Sequence, residues 1–304
     1  MNKHSFKDWM TAVRPWSFPA SAMPVIVTIS YIFWKTGTSG GGIFNELDWA
    51  FGGWALINII IFHAAGNTWS DYFDFKKKVD TKETSGAKTL TDGLFSPKEI
   101  KYLSITLLIL ALASGVVLLF VTGMPLLWIG LGGLACTLLY PYLKYNALGD
   151  LVIIAAYAIL PTLGTAYVVT GRIMPEVLWI AVPVGLITDA ILHSNNTRDI
   201  YTDKKAKIRT MAMKMGMRAS KIFYYLEILI PFAWIAGCIL TDRLPVWNIL
   251  VVLAIVPAVT NVRTMYKAKE EDISAINSLD EMTAKLQLLF SLLFSISFML
   301  AYYF

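Results

Sequence analysis

Two short stretches of this chain gather oxygen-donor side chains at helical spacing. The first reads Asn67-Thr-Trp-Ser-Asp71-Tyr-Phe-Asp74 and runs on through lysines to Asp80. The second reads Asn195-Asn-Thr-Arg198-Asp199-Ile-Tyr-Thr-Asp203. Asn67, Asp71 and Asp74 fall at i, i+4, i+7, and Asn195, Asp199 and Asp203 at i, i+4, i+8. Each set therefore shares one face of a helix. Clustered carboxylates at the ends of apolar helices are unfavourable unless neutralised. Lysine alone could pair them. Carboxylates beside amide oxygens also suit Mg2+ or Mn2+, which takes hard oxygen ligands and shares them with substrate phosphates. Asn67, Asp71, Asp74, Asp199 and Asp203 are the candidate ligands, with Asn195 on the same catalytic faces. Either stretch alone reads equally well as polar helix ends in a solvated loop. Two of them, each opening on Asn and each bounded by basic residues, favour the metal.

A diphosphate held by metal ions still exposes oxygens that Lys and Arg bind. Lys88, in Lys88-Thr-Leu-Thr-Asp-Gly93, follows the first stretch, and Arg209 follows the second. Tyr140-Pro-Tyr-Leu-Lys144 lies between them. Lys88, Tyr140, Lys144, Arg198 and Arg209 are the diphosphate candidates. No Ser/His/Asp arrangement supplies a protein nucleophile. Asp189 and His193 stand four apart in an apolar run, where they are functional candidates, and pairing with each other or with a neighbour is the simplest account. Asp150 opens another run as a possible helix cap. His4 and His63 suggest no role by spacing.

These residues sit on elements that composition identifies. The chain has 304 residues, 56% hydrophobic and 15% charged, with mean hydropathy +0.58. Apolar runs about as long as a bilayer is thick recur from end to end. About nine spans are expected: Ser17–Trp34, Trp49–Gly66, Tyr102–Val121, Leu126–Tyr142, Leu151–Val169, Glu176–Ser194, Ile222–Leu240, Val246–Val262 and Leu286–Phe304. The fold class is an all-α, multi-pass membrane bundle.

Of 26 Lys and Arg, all but Lys35, Arg172 and Arg243 fall on one set of loops. That asymmetry places the N-terminus and the long loops in the cytoplasm. It also accounts for the basic balance, so nucleic acid is not expected as a partner. The first apolar run lacks a signal-peptide cleavage pattern. Cys136 and Cys238 lie inside spans, where packing is their expected role. The long loops, about 67–100 and 195–221, follow the second and sixth spans. This weak repeat suggests one domain over 1–304 with two halves facing one cavity. The loop from Arg263 to Lys285 reads as a solvated surface segment.

In these motifs the chain resembles the UbiA superfamily of intramembrane prenyltransferases. The two Asp-rich stretches are similar to that family's paired motifs, Tyr140…Lys144 to its Tyr-x-x-x-Lys, and the Lys88 segment to its Arg-Pro-Leu-x-x-Gly. Within it, Arg14-Pro-Trp-Ser-Phe-Pro-Ala-Ser21, Asp71-Tyr-Phe-Asp74, Leu148-Gly-Asp150 and Asn195-Asn-Thr-Arg-Asp199 resemble the 1,4-dihydroxy-2-naphthoate prenyltransferases of menaquinone synthesis. Ile208 departs from the family, which has lysine there. The resemblance implies a bundle around a central cavity. It also implies a polyprenyl diphosphate donor, an aromatic acceptor, a cell-membrane location and an active site facing the cytoplasm. It assigns Arg14 and Asp150 to the acceptor side. Ionisation of the donor needs charge neutralisation at the diphosphate and shielding of an allylic cation by aromatic faces; Phe62, Tyr72, Tyr140 and Tyr157 are placed to shield it. Other acceptors, such as 4-hydroxybenzoate or a glycerol phosphate, and terpene cyclisation stay open. A secondary transporter is the rival class, since it too uses repeats and Gly/Pro-broken helices.

Overall fold

A computed structural model describes residues 4–38, 47–81, 88–270 and 272–304. The stretch 82–87 of the first motif loop, with Lys82, lies outside the described residues. Twelve helices account for the architecture, and among the described residues pairing between extended segments is limited to isolated bridges.

α1, Phe6–Val13, starts at a capping box between Ser5 and Asp8. It stops at Arg14, whose φ of 56° is left-handed. Pro15 and Pro19 cannot donate to a preceding turn, so the chain bends by 52° before α2, Pro19–Thr38. α3, Trp49–Lys76, is 28 residues long. At 1.5 Å per residue it spans about 42 Å, more than a hydrocarbon core. Its last turns, with Asn67, Asp71 and Asp74, therefore reach one end of the bundle.

α4, Pro97–Thr122, opens on a Ser96/Glu99 capping box. α5, Pro125–Lys144, follows after a tight turn at Gly123. The next span is α6, Gly149–Ile154, a π turn over Ala155–Ile159, and α7, Leu160–Thr170. Pro161 lacks the N–H that would bond the carbonyl four residues back, which loosens the helix where the π turn forms.

α8, Leu178–Arg198, is largely buried and packs against α6. Gly185 permits a close approach, since a Cβ there would lie 2.6 Å from that of Ala158. α9 is the short helix Ile200–Lys205. α10, Met211–Leu240, is interrupted at Gly216, whose φ is 74°. A 3-10 stretch, Val246–Ala254, leads into α11, Ile255–Lys267, and α12, Leu279–Tyr303, closes the bundle.

The core lies where α2, α8, α10 and α12 meet, filled by Tyr31, Ile187, Tyr224, Ile228, Phe290, Phe294 and Phe298. The outside is apolar too: Phe120, Trp128, Leu240 and Val256 are all at least 70% exposed. An apolar exterior around a packed interior is what lipid requires. Among the described residues eight helices are long and apolar enough to cross a membrane, or nine if the bent N-terminal pair counts as one span. The nine spans read from sequence match these helices, although several run longer than hydropathy suggested.

Candidate active site

A cavity of about 1300 Å3 runs into the bundle, lined by residues from Arg14 to Leu288. Asn67, Asp71 and Asp74 of α3 line it, as do Asn195 of α8, Asp199 and Asp203. Asp199 is the residue between α8 and α9, so the second acidic face is not one regular helix. Its N–H still bonds the Asn195 carbonyl at 2.9 Å, and that of Asp203 bonds the Asp199 carbonyl at 2.8 Å. The i, i+4, i+8 stack thus survives the junction.

The first face is already paired. Arg14 Nη2 forms an ion pair with Asp71 Oδ1. Asp74 accepts three hydrogen bonds: from Lys144 Nζ at 2.8 Å, Tyr145 Oη at 2.7 Å and Ser70 Oγ at 3.1 Å. Asn67 donates from Nδ2 to the Val13 carbonyl at 3.1 Å and to Ser17 Oγ at 3.0 Å. Its Nδ2 is thereby committed, and Oδ1 is the atom left for a ligand.

The second face is held differently. Arg198 grips Asp199 in a two-pronged pair, both bonds at 2.9 Å. The same guanidinium reaches Asp280 of α12 at 3.3 Å and the Asn277 carbonyl at 3.3 Å. Burial, reinforced by neighbouring Asp199, lifts the Asp203 carboxyl to about 7. Burial, with Asp74 beside it, lifts Asp80 to about 6. Asp80 also lines the cavity.

Among the described residues no three His, Cys, Asp or Glu side chains converge as a ready metal cage. Asp71 Oδ2 and Asn195 Oδ1 are buried without a hydrogen-bond partner. Those orphaned oxygens fit a divalent cation that takes only one or two carboxylates and completes its shell with substrate oxygens.

A scan of family models matches the UbiA prenyltransferase family over residues 14–303. The chain belongs to that family. The prenyltransferase is 32% identical over 305 residues to UbiA prenyltransferase domain-containing protein 1 of Xenopus tropicalis, covering 98% of this chain and 84% of the frog protein. The human protein of that name is 30% identical over 304 residues, with 97% and 84% covered. A solved UbiA homologue from Archaeoglobus fulgidus bound to GPP and Mg2+ shares the fold at TM-score 0.69 and 15% identity, covering 98% of this chain and 100% of that one. The frog and human proteins are not named as naphthoate prenyltransferases, so the family stands and the acceptor is a separate question. An enzyme family, with acidic clusters at a bundle end, displaces the transporter reading.

Several residues of the prenyltransferase lie elsewhere than sequence suggested. Lys88 and Arg209 are exposed and are not among the residues that line the cavity. The Arg209 backbone instead bridges to the turn after α5. The cations of the cavity are Arg14, Lys144, Arg198 and Lys285. Arg14 sits against Asp71. Asp150 is buried outside the cavity lining and caps nothing; it meets His193 Nδ1 at 3.0 Å. His193 therefore does not pair with Asp189. The Asp189 carboxyl instead faces Glu227 of α10, a residue that sequence reading passed over. Neither carboxyl has another partner among the described residues, so a proton shared between them is the arrangement that avoids two like charges in contact. Tyr72 packs with Trp69 and the Leu90/Phe95 cluster, away from the cavity, whereas Phe62, Tyr140 and Tyr157 line it. The segment before Lys285 is not simply solvated surface: Asn277, Asp280 and Glu281 line the cavity.

The apolar wall comes from α4 and α5. Val116 and Leu131 line the cavity, yet each is 46% exposed. Residues that face both inside and outside mark where the cavity opens sideways, toward the lipid-facing surface.

Proposed function

We propose that this enzyme transfers a polyprenyl group from its diphosphate to an aromatic acceptor, 1,4-dihydroxy-2-naphthoate, with Mg2+ or Mn2+, in menaquinone biosynthesis. The observation that carries the reading is the convergence of both Asp-bearing faces and four arginine or lysine side chains on one cavity with an apolar side wall. The naphthoate acceptor is supported by the resemblance of the Arg14–Ser21, Leu148–Asp150 and Asn195–Asp199 motifs.

Asp71, Asp74, Asp199 and Asp203, with Asn67 Oδ1, would hold the divalent ion. When bound, the ion would absorb charge developing on the departing diphosphate. Arg14, Lys144 and Arg198 already sit beside these carboxylates and can turn their remaining N–H groups to diphosphate oxygens. Phe62, Tyr140 and Tyr157 present ring faces to the reacting carbon and keep water from it. The isoprenoid tail lies along α4 and α5. The lysine asymmetry supports a cavity mouth on the cytoplasmic side of the cell membrane.

The test is mass spectrometry of lipid products from purified enzyme given prenyl diphosphates and candidate acceptors. Prenylated naphthoquinol that disappears on chelation and returns with Mg2+ or Mn2+ is expected. Product from 4-hydroxybenzoate alone would reassign the acceptor. No covalent product from any prenyl diphosphate would overturn the reading.

A further inference from the structure

His63 lies on α3 one turn before Asn67, so His63, Asn67 and Asp71 follow one another at i, i+4, i+8 on a single face. At 1.5 Å per residue the imidazole sits about 6 Å deeper than Asn67, and about 12 Å deeper than Asp71. It is 6% exposed, and it lines the cavity together with Ser17, Phe62 and Tyr157.

Hydrogen-bond accounting assigns its two nitrogens different roles. Nδ1 lies 2.8 Å from Ser21 Oγ, and the Ser21 hydroxyl donates to the Phe18 carbonyl at 3.1 Å. A hydroxyl has one proton; with that proton on the Phe18 carbonyl, Ser21 accepts from Nδ1–H, and this is the tautomer we assign. Ser21 is fully buried and is not among the cavity-lining residues, so this bond anchors the ring from behind. Nε2 must then carry the lone pair. Its neighbour Ser17 Oγ is 3.3 Å away, and the Ser17 proton goes to the Arg14 carbonyl at 2.8 Å. Ser17 Oγ also accepts from Asn67 Nδ2 at 3.0 Å. Among the described residues no donor is committed to Nε2, on the side of the ring toward Ser17 and the cavity. The Tyr157 ring stands edge-on to the imidazole, centroids 4.8 Å apart, and limits its rotation.

We propose that His63 is a catalytic residue on the acceptor side, whose Nε2 receives the hydrogen of a phenol-type hydroxyl on the aromatic acceptor. This rests on the aromatic prenyl-transfer reading above and adds the acceptor's binding chemistry to it. In the step, a ring carbon next to the hydroxyl bonds to C1 of the prenyl group. The C1–O bond breaks, and its electron pair leaves with the diphosphate. The hydroxyl proton passes to Nε2, leaving a ketone at the ring oxygen. For an acceptor with hydrogen on the attacked carbon, that hydrogen then leaves as a proton, one returns to the oxygen, and the aromatic ring is restored. That route releases one proton per turnover; where the attacked carbon bears a carboxylate, as in 1,4-dihydroxy-2-naphthoate, the carboxylate leaves as carbon dioxide, its electron pair restores the ring, and the imidazole returns its proton to the oxygen.

The experiment is steady-state kinetics of the full chain with a prenyl diphosphate, Mg2+, a hydroxylated aromatic acceptor and its methyl ether. Wild-type enzyme should favour the free hydroxyl by at least about a hundredfold, the size typical of general-base catalysis. His63→Phe fills the ring space without a nitrogen; it should lose that preference, with KM for the diphosphate within about twofold of wild type. His63→Gln keeps an acceptor atom near Nε2 but takes no proton; it should hold the acceptor KM and lose kcat. Ser21→Ala, which leaves the imidazole but unties Nδ1, serves where the other variants fold poorly and should fall between them and wild type. If wild type transfers the prenyl group and His63→Phe keeps both rate and hydroxyl preference, the role of His63 is overturned and aromatic prenyl transfer stands. If wild type prenylates a glycerol phosphate and no hydroxylated aromatic, both are overturned.

Discussion

Asp71 and Asp74 each meet a cation carried by another element, Arg14 and Lys144. Asp199 meets its own sequence neighbour Arg198, and Asp203 enters no described ion pair. The first face is a set of long-range pairs that tie α1, α3 and α5 together. The second is a clasp between sequence neighbours whose guanidinium also reaches Asp280 of α12, with one carboxyl left partly protonated near neutral pH. Both faces have the same residue types at nearly the same spacing, so the difference lies in what the fold brings to them. The first is built into the packing, while the second is the freer to rearrange around a ligand.

The largest effects should come from Asp71→Asn and Asp199→Asn. Each removes one negative group from the proposed metal–diphosphate site and should lower prenyl transfer by about 10²–10³, or about 3 kcal/mol. Product assays on membranes with matched protein levels measure it. Wild-type rates in Asp71→Asn would reduce the first face to a structural clamp.

Stability should separate the faces next. Arg14→Ala leaves the 4%-exposed Asp71 side chain unpaired in the interior, which typically costs about 3 kcal/mol. Arg198→Ala leaves Asp199 and Asp280, at 28% and 24% exposed, able to reach water, and should cost about 1 kcal/mol or less. Thermal unfolding in detergent should show the larger drop for Arg14→Ala; equal drops would erase the distinction.

A smaller change tests how Asp74 is held. Tyr145→Phe removes one of its three donors and should lower activity about fivefold, the worth of about 1 kcal/mol. An unchanged rate would leave Lys144 and Ser70 as the functional partners.

The smallest effect is in pH. Because the Asp203 carboxyl titrates near 7, it holds a proton below that pH, and a metal ligand must lose it. The Mg2+ concentration for half-maximal activity should therefore fall several-fold from pH 6 to pH 8. Asp203→Asn should flatten that dependence. A flat wild-type response would mean that Asp203 is not a ligand.

Much of this was legible in the chain. Span count follows from apolar length, and the face-sharing of Asn67, Asp71 and Asp74 follows from helical period, because both are local properties. The partners were not, because pairing is set by tertiary approach. Nothing in the spacing brings Arg14 to Asp71, or Tyr145 rather than Tyr140 to Asp74. Lys88 and Arg209 were chosen for lying near the motifs in sequence, and the fold turns both outward. Asp189 and His193 at i, i+4 suggested a pair, yet each prefers a partner from another helix. Glu227 carried a usable signal, a lone carboxyl inside the apolar run Ile222–Leu240. His63 did as well, one further turn back along the face already recognised at Asn67.

The sideways opening at Val116 and Leu131 sets the units in which this enzyme must be measured. A donor that reaches the cavity between α4 and α5 arrives by diffusion in a sheet, so its effective concentration is molecules per lipid rather than per litre. Adding inert lipid or detergent at constant total substrate dilutes it and lowers the rate, although nothing in the aqueous phase has changed. A Michaelis constant quoted in micromolar then describes the micelle ratio of the assay as much as the protein.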